Sequence, residues 1–331
     1  MISVPKFFDF MLQCNKEVNR PLKTEYILLI ILGALGIYLS ICYLIYTKMI
    51  HHKGFKNGGL VDQNDPFFQP SYDWFVKSPK ESVHIKGYDG VKLTGSYLPS
   101  FDEKSTLTAI VLHGYAGINT DMAIIAKTYS DLGFKVLLPD LRGHGLSEGE
   151  FSTFGHYESY DLKKWINFIL RTYGSTDSIL LHGVSMGAAT VLLTAAMDLP
   201  ANVRLIVADS PYSSVAPVLV RKAKTPLILL FLPGLSLLTW YWHRFFLMLI
   251  SVSKAVRKSM IPTLFIHGMK DEFCPYRHTL RMMESSKAPF KDIYTVLEAR
   301  HAESYKIEKK GIDAWLSKII QERFNLKLKK K

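Results

Sequence analysis

SILLHGVSMGAATVLLTAAM, residues 178–197, is the stretch whose reading decides the fold. A short apolar run, Ser178 to His182, leads directly into Gly183-Val184-Ser185-Met186-Gly187 and then into a series of helix formers. A strand that turns sharply into a helix needs small residues on both sides of the turn, because the residue at its apex takes a strained backbone conformation and nothing bulky fits around it. Glycines 183 and 187 meet that need, and Ser185 stands at the apex. Three fixed positions alone arise by chance in about one chain in ten of this length, so the strand before and the helix after give the pattern its weight.

Working outward, five more apolar runs have the same character: Thr108 to His113, Phe134 to Pro139, Leu205 to Ala208, Thr263 to His267 and Ile293 to Leu297. Each is short, continuous and separated from the next by a segment of helical periodicity. Continuous apolar strands are buried on both faces, and their alternation with helices predicts an α/β fold with a mostly parallel, doubly wound sheet. Ser82 to Lys86 and Val91 to Leu98, around Tyr88-Asp89-Gly90, predict a hairpin ahead of it. In such sheets ligands bind beyond the carboxyl ends of the strands.

The residues at those strand ends form a consistent set. A serine hydroxyl is a poor nucleophile until a neighbour takes its proton. His301, in Glu298-Ala299-Arg300-His301-Ala302-Glu303-Ser304 after the last strand, is the candidate base. Asp271, in His267-Gly268-Met269-Lys270-Asp271-Glu272 after the fifth, is the candidate acid that orients it, with Asp209 after the fourth strand and Glu272 as rivals. The chain order Ser, Asp, His suits a triad on a parallel sheet. A tetrahedral oxyanion needs two backbone N–H groups aimed at one point. Met186, opening the helix, offers one, and Tyr115 in His113-Gly114-Tyr115-Ala116-Gly117 is expected to offer the other, its phenol either walling the pocket or merely packing.

With HGYAG, GVSMG, HGMKDEFCP and EARHAES in place, the chain resembles the α/β-hydrolase superfamily over roughly residues 80–325, in particular its membrane-anchored bacterial esterase and serine aminopeptidase-like branch. Asp140-Leu141-Arg142-Gly143-His144-Gly145-Leu146-Ser147-Glu148-Gly149 is similar to that branch's D-x-R-G-H-G-x-S-x-G loop, and Glu158, Asp161 and Trp165 continue the likeness. Read physically, the loop is a turn-rich strand exit whose Arg and Asp brace rather than react. The resemblance implies an α/β-hydrolase fold with an inserted helical lid and no cofactor.

The composition is globular, with 48% hydrophobic residues in 331, but 41 Lys and Arg against 29 Asp and Glu give a net charge of +12. The excess is localised. Residues 1–60 carry +4, 213–260 carry +7 without one acidic residue, and 318–331 carry +5, which leaves the remainder at −4. Zinc-finger, RNA-recognition and helix-turn-helix patterns do not occur, so nucleic acid is set aside in favour of an anionic membrane surface. Tyr26 to Tyr46 is 21 residues without a charge, about the thickness of a bilayer core at the helical rise. It predicts an uncleaved transmembrane anchor, because no small-residue cleavage site follows it. Lys16, Arg20 and Lys23 on one side balance Lys48, Lys53 and Lys56 on the other, so charge sets no orientation. The resemblance and the short N-terminal arm favour the main domain outside the cell. Cys14, Cys42 and Cys274 form no disulfide framework, and no cysteine or histidine cluster predicts a metal.

The expected organisation is an arm (1–25), the anchor (26–46), a polar linker (47–79), the hydrolase domain (80–325) and a basic tail (326–331). Within the domain, residues 213–260 form a lid that is unusually apolar and basic. A second transmembrane span over Pro226 to Ile250 is rejected, since it would put Ser185 and Asp271 on opposite sides of a bilayer. That leaves two readings: a lid that only covers the pocket, or one that also rests on the membrane, with Arg221, Lys222, Lys224, Lys254, Arg257 and Lys258 on anionic headgroups. The expected function is a membrane-anchored serine hydrolase of acyl or lipophilic small-molecule esters. A peptidase or amidase, and a non-catalytic binding protein on the same fold, are the alternatives.

Overall fold

The computed structural model describes residues 23–51, 55, 59, 61–62 and 64–325; the arm up to residue 22, Cys14 and the basic tail lie outside the described residues. The strands are β1 (Glu81–Lys86), β2 (Lys92–Leu98), β3 (Leu107–Leu112), β4 (Lys135–Pro139), β5 (Ser178–Val184), β6 (Val203–Asp209), β7 (Thr263–Gly268) and β8 (Lys291–Val296). They form one sheet in the order β1-β2-β4-β3-β5-β6-β7-β8. The β1–β2 hairpin and the β2–β4 pair are antiparallel, and every pair from β4 onward is parallel. Every residue of β3 is buried, as a continuous apolar run demands. The carboxyl ends of β3, β5, β6 and β7 therefore share one edge, where the chemistry-bearing residues of the sequence gather.

Helices cover both faces. On one, α2 (Gln69–Lys77), α3 (Ala123–Asp131) and α10 (Ser304–Phe324) pack a core of Phe75, Ile124, Tyr129, Ile312 and Leu316 against the sheet. On the other lie α4 (His156–Thr172), α5 (Met186–Thr194) and the lid. α5 reads apolar on all sides because it is buried on nearly all sides, between the sheet, α4 and the lid. The segment expected as a polar linker is in part structured: α2 buries Phe75 and half-buries Trp74 against the domain. Burying such a ring is worth about 2 kcal/mol, and it docks a nine-residue helix whose remaining apolar side chains are the half-buried Trp74, the exposed Val76 and Pro70.

α1 (Thr24–Met49) is 26 residues long and, by length and composition, able to cross a membrane. The lid consists of α6 (Val215–Ala223), a 3-10 turn (Pro226–Phe231), α7 (Leu232–His243), a short turn (Leu247–Leu249) and α8 (Val252–Val256). Ser214 pairs with Ser251 in an antiparallel bridge, so the insert leaves the sheet and returns to it at one place. α9 (Tyr276–Ser285) follows β7. The lid does not stand alone: α7 packs along the second half of α1, where Tyr38, Cys42 and Tyr46 meet Leu230, Gly234 and His243.

Candidate active site

Ser185 lies between β5 and α5 with φ 55° and ψ −110°, a conformation that side chains rarely adopt. Its N–H donates to Asp209 O (2.8 Å) and its carbonyl accepts from Ala189 N–H (3.0 Å), so backbone bonds from β6 and α5 hold the strain. The flanking glycines are needed for space. A β-carbon on Gly183 would lie 2.2 Å from the Gly187 backbone, and one on Gly187 would lie 2.4 Å from Leu112 O.

The side chains named from the strand ends come together. Ser185 Oγ is 2.8 Å from His301 Nε2, and His301 Nδ1 is 2.8 Å from Asp271 Oδ2. A carboxylate only accepts, so Nδ1 carries the proton and Nε2 faces the serine hydroxyl as acceptor. Asp271 is buried and also accepts from Cys274 N–H (2.7 Å), while His267 Nε2 lies 3.1 Å from Oδ2. Burial alone would raise the Asp271 pKa, but hydrogen bonds from His267 and His301 outweigh it and hold it at about 2. His267 belongs to the HGMKDEFCP motif, yet its part beside Asp271 was not anticipated; a histidine four residues before the acid on the same strand exit was the available signal.

Neither rival acid touches the imidazole. Asp209 is buried one strand over, accepts from Ser210 Oγ (2.8 Å), and is pushed up to about 6 by burial. Ser210 Oγ in turn accepts from Ala302 N–H (3.3 Å), so Asp209 supports the His301 loop from behind. Glu272 is exposed. Asp271, Cys274 and His301 stand close enough to suggest a metal. They do not fit one: burial pushes the Cys274 thiol well up, and the His301 proton already points at Asp271.

The loop after β3 runs beside the nucleophile, with a β-carbon on Gly114 only 3.3 Å from Ser185 Cβ. Two buried histidines lace it to the loop after β4. His113 donates through Nδ1 to Gly114 O (2.7 Å) and accepts Leu141 N–H at Nε2 (2.9 Å). His144 donates through Nδ1 to Arg142 O (2.8 Å) and accepts Ala116 N–H at Nε2 (3.1 Å). Both must be neutral to play these parts, and burial lowers them to about 3 and about 4. The sequence placed both in motifs without assigning them this work.

The Asp140–Gly149 loop braces, as expected. Asp140 accepts from Asn119 N–H (2.8 Å) and Leu146 N–H (3.0 Å), and Arg142 forks onto both Asp89 and Asp161. The Tyr115 phenol is a tie rather than a pocket wall. It donates to Met49 O (3.2 Å) at the end of α1, its ring stacks on Phe154, and Lys222 Nζ sits 3.6 Å from the ring centroid. Burial lowers the Lys222 pKa to about 8.

The comparisons agree with this architecture. A family model described as alpha/beta hydrolase fold matches residues 110–232. The uncharacterized protein YqkD of Bacillus subtilis is 28% identical over 242 residues, 71% of this chain and 77% of that one. A thermostable monoacylglycerol lipase of Bacillus sp. is 27% identical over a shorter stretch, 31% of this chain and 46% of the lipase. Among solved structures, the Pyrococcus furiosus esterase Pf2001 superposes with a TM-score of 0.64 at 22% identity, covering 83% of this chain and 99% of the esterase. Sheet order, elbow and these likenesses together make the chain an α/β-hydrolase-fold protein.

Proposed function

We propose that the chain is a membrane-anchored serine hydrolase of carboxylic esters, with Ser185 as nucleophile. His301 takes the Ser185 proton as Oγ attacks the ester carbonyl, and Asp271 stabilises the imidazolium that forms. The N–H groups of Met186 and Tyr115 hold the tetrahedral oxyanion; Met186 opens α5, where first-turn N–H groups have no intrahelical acceptor. His301 then protonates the leaving alcohol, and the same histidine activates the water that frees the acyl group from Ser185. The observation that carries the reading is the relay from Ser185 Oγ to His301 Nε2 and from His301 Nδ1 to Asp271, 2.8 Å at each step.

The substrate side of the reading is an acyl or lipophilic ester. It is supported by the apolar lid, which exposes Leu227, Leu230, Leu237, Trp240 and Tyr241, and by the α1 helix against which the lid packs. α1 is read as the single membrane span, the main domain as lying outside the cell, and the basic lid flanks as facing an anionic membrane surface. The test uses the full chain in detergent micelles. A fluorophosphonate probe should label wild type and not Ser185→Ala, and hydrolysis of p-nitrophenyl esters should fall at least about 10⁴-fold in that variant. Unlabelled wild type, or an active Ser185→Ala, overturns the reading; protease treatment of intact cells checks the side.

A further inference from the structure

Pro226–His243 is long and apolar enough to cross a bilayer, yet it is a turn followed by a helix that comes back. Its contacts with α1 give its depth. At the outer end, Lys222 lies over Tyr115, whose phenol reaches Met49 O, so the lid starts at the level of the last turn of α1. At the far end, Leu230 O accepts from the Tyr38 phenol (3.1 Å). From there α7 rises along α1 in the same direction, Gly234 beside Tyr38 and Cys42, then Trp242 against Tyr43 and Tyr46, and finally His243 Nε2 2.5 Å from Tyr46 Oη. From Tyr38 to Tyr46 is eight residues, about 12 Å at the helical rise, against about 15 Å for half a hydrocarbon core.

Resting on the reading of α1 as a membrane span, we infer that Pro226–His243 is a re-entrant hairpin sunk into the lipid leaflet next to the catalytic domain. Non-helical backbone survives at such depth only where its polar groups find partners inside the protein. Here α1 supplies them. Tyr38 Oη donates to Leu230 O and accepts Gly234 N–H (3.1 Å), and Cys42 Sγ lies 3.8 Å from Phe231 O. The side chains left outside at the tip, Leu227, Leu229 and Leu230, are apolar and exposed. Trp240 and Trp242 stand where α7 leaves, the place of an interfacial belt.

Charge follows the same plan. Arg221, Lys222 and Lys224 precede the descent, and Arg244, Lys254 and Lys258 follow the return, lining with Leu249 a cavity of about 480 Å³ that no carboxylate enters. No cation stands between Thr225 and Trp242. A lid that merely covered a pocket would turn its leucines inward and would have no need of cations confined to its two ends.

The experiment adds one tryptophan at a time to the full chain, with Ser185→Ala to prevent turnover, in nanodiscs of phosphatidylcholine brominated at carbons 6,7 or 11,12, and reads each as the difference from a background that keeps Trp74, Trp165 and Trp315. With Trp240→Phe and Trp242→Phe as background, Leu229→Trp should be quenched more strongly by the deeper bromines and left untouched by iodide in the water. Restoring Trp242 should reverse the depth preference. Ile30→Trp in α1 is the control for the anchor. If Ile30→Trp is quenched and Leu229→Trp is instead reached by iodide, the hairpin is overturned while the anchor stands; if neither is quenched by lipid, the membrane reading fails with it. Neither readout depends on catalysis, so loss of fluorophosphonate labelling would bear on the hydrolase reading alone.

Discussion

A β-carbon on Gly234 of α7 would lie 2.5 Å from the Cys42 sulfur of α1, so the lid crosses the long helix at a contact that only glycine permits without movement. Small residues at a helix crossing let two helices approach closely, and here the approach lets Gly234 N–H donate to the Tyr38 phenol oxygen. Gly234→Ala is expected to lift α7 off α1 and to raise the rate of tryptic cleavage at Arg221, Lys222 or Lys224 severalfold. Cys42→Ala removes the nearest atom but leaves the Tyr38 ring 2.8 Å from the added carbon, so the double variant should regain part of the protection. A coupling of about 1 kcal/mol in that cycle checks the contact; additive effects would refute it.

The elbow makes a second demand on glycine. The atoms a methyl group would strike at 183 and 187 are backbone on both sides, Gly187 C and O in one case and Leu112 O in the other. A backbone buried in the sheet centre cannot give way as a side-chain tip can. Gly183→Ala and Gly187→Ala should each cost about 3 kcal/mol or prevent folding, whereas Gly36→Ala, with nothing within 4 Å of the added carbon, should be silent. Denaturant midpoints of the three full-length variants in micelles make the comparison.

The difference between what the sequence makes legible and what it hides follows from the range of the interactions. Strand runs such as Thr108 to His113 are local, and β3 begins and ends within a residue of it. Ser185, Asp271 and His301 were singled out because each follows a strand, and parallel strands bring their carboxyl ends to one edge. The supports are mostly not local. His113 holding Leu141 and His144 holding Ala116 are pairings between loops that only the sheet order brings together, whereas His267 stands four residues before Asp271 and only the course of the strand exit turns its ring to the acid. α2 was hidden because one buried ring, Phe75, anchors it, and one ring makes no periodic pattern. The lid was legible in composition only. An apolar run with a Pro-Gly in it reads equally as a lid over the pocket and as a lid that also lies on the membrane until Tyr38 is seen to hold its turn.

Arg142 separates bracing from chemistry. It is buried, with Nε and Nη2 on Asp161 (2.8 and 2.9 Å) and Nη1 on Asp89 (2.8 Å), and Asp161 is almost as buried as the arginine. Removing the cation leaves a carboxylate in the interior without its partner, which typically costs 3–5 kcal/mol. Lysine supplies a point charge in place of the two-sided fork. Arg142→Lys should therefore lose about 2 kcal/mol or more. Asp89→Asn, whose side chain is 31% exposed, should lose under about 1 kcal/mol. Both should still be labelled at Ser185 in the folded fraction. Loss of labelling in a folded Arg142→Lys would mean that the loop takes part in the reaction.

Asp271 gives a pH signature with a definite sign. Its pKa of about 2 lies below the ordinary value near 3.9 that it would have in the unfolded chain. A depressed carboxylate binds fewer protons folded than unfolded, so its contribution to stability is fully present above pH about 4 and disappears as the pH falls through about 2. The amount is of the order of 2 kcal/mol. Asp271→Asn removes the titration, so the variant should lose less stability than wild type between pH 5 and pH 2. The same variant should keep its fold at neutral pH yet lose about 10⁴ in kcat, because an amide no longer enforces a proton on His301 Nδ1 and leaves Nε2 unfit to accept from Ser185. Urea midpoints across that pH range, together with ester turnover at pH 7.5, read both effects. A wild-type acid profile no steeper than that of Asp271→Asn would mean that His267 and His301 do not hold the carboxylate as the distances imply.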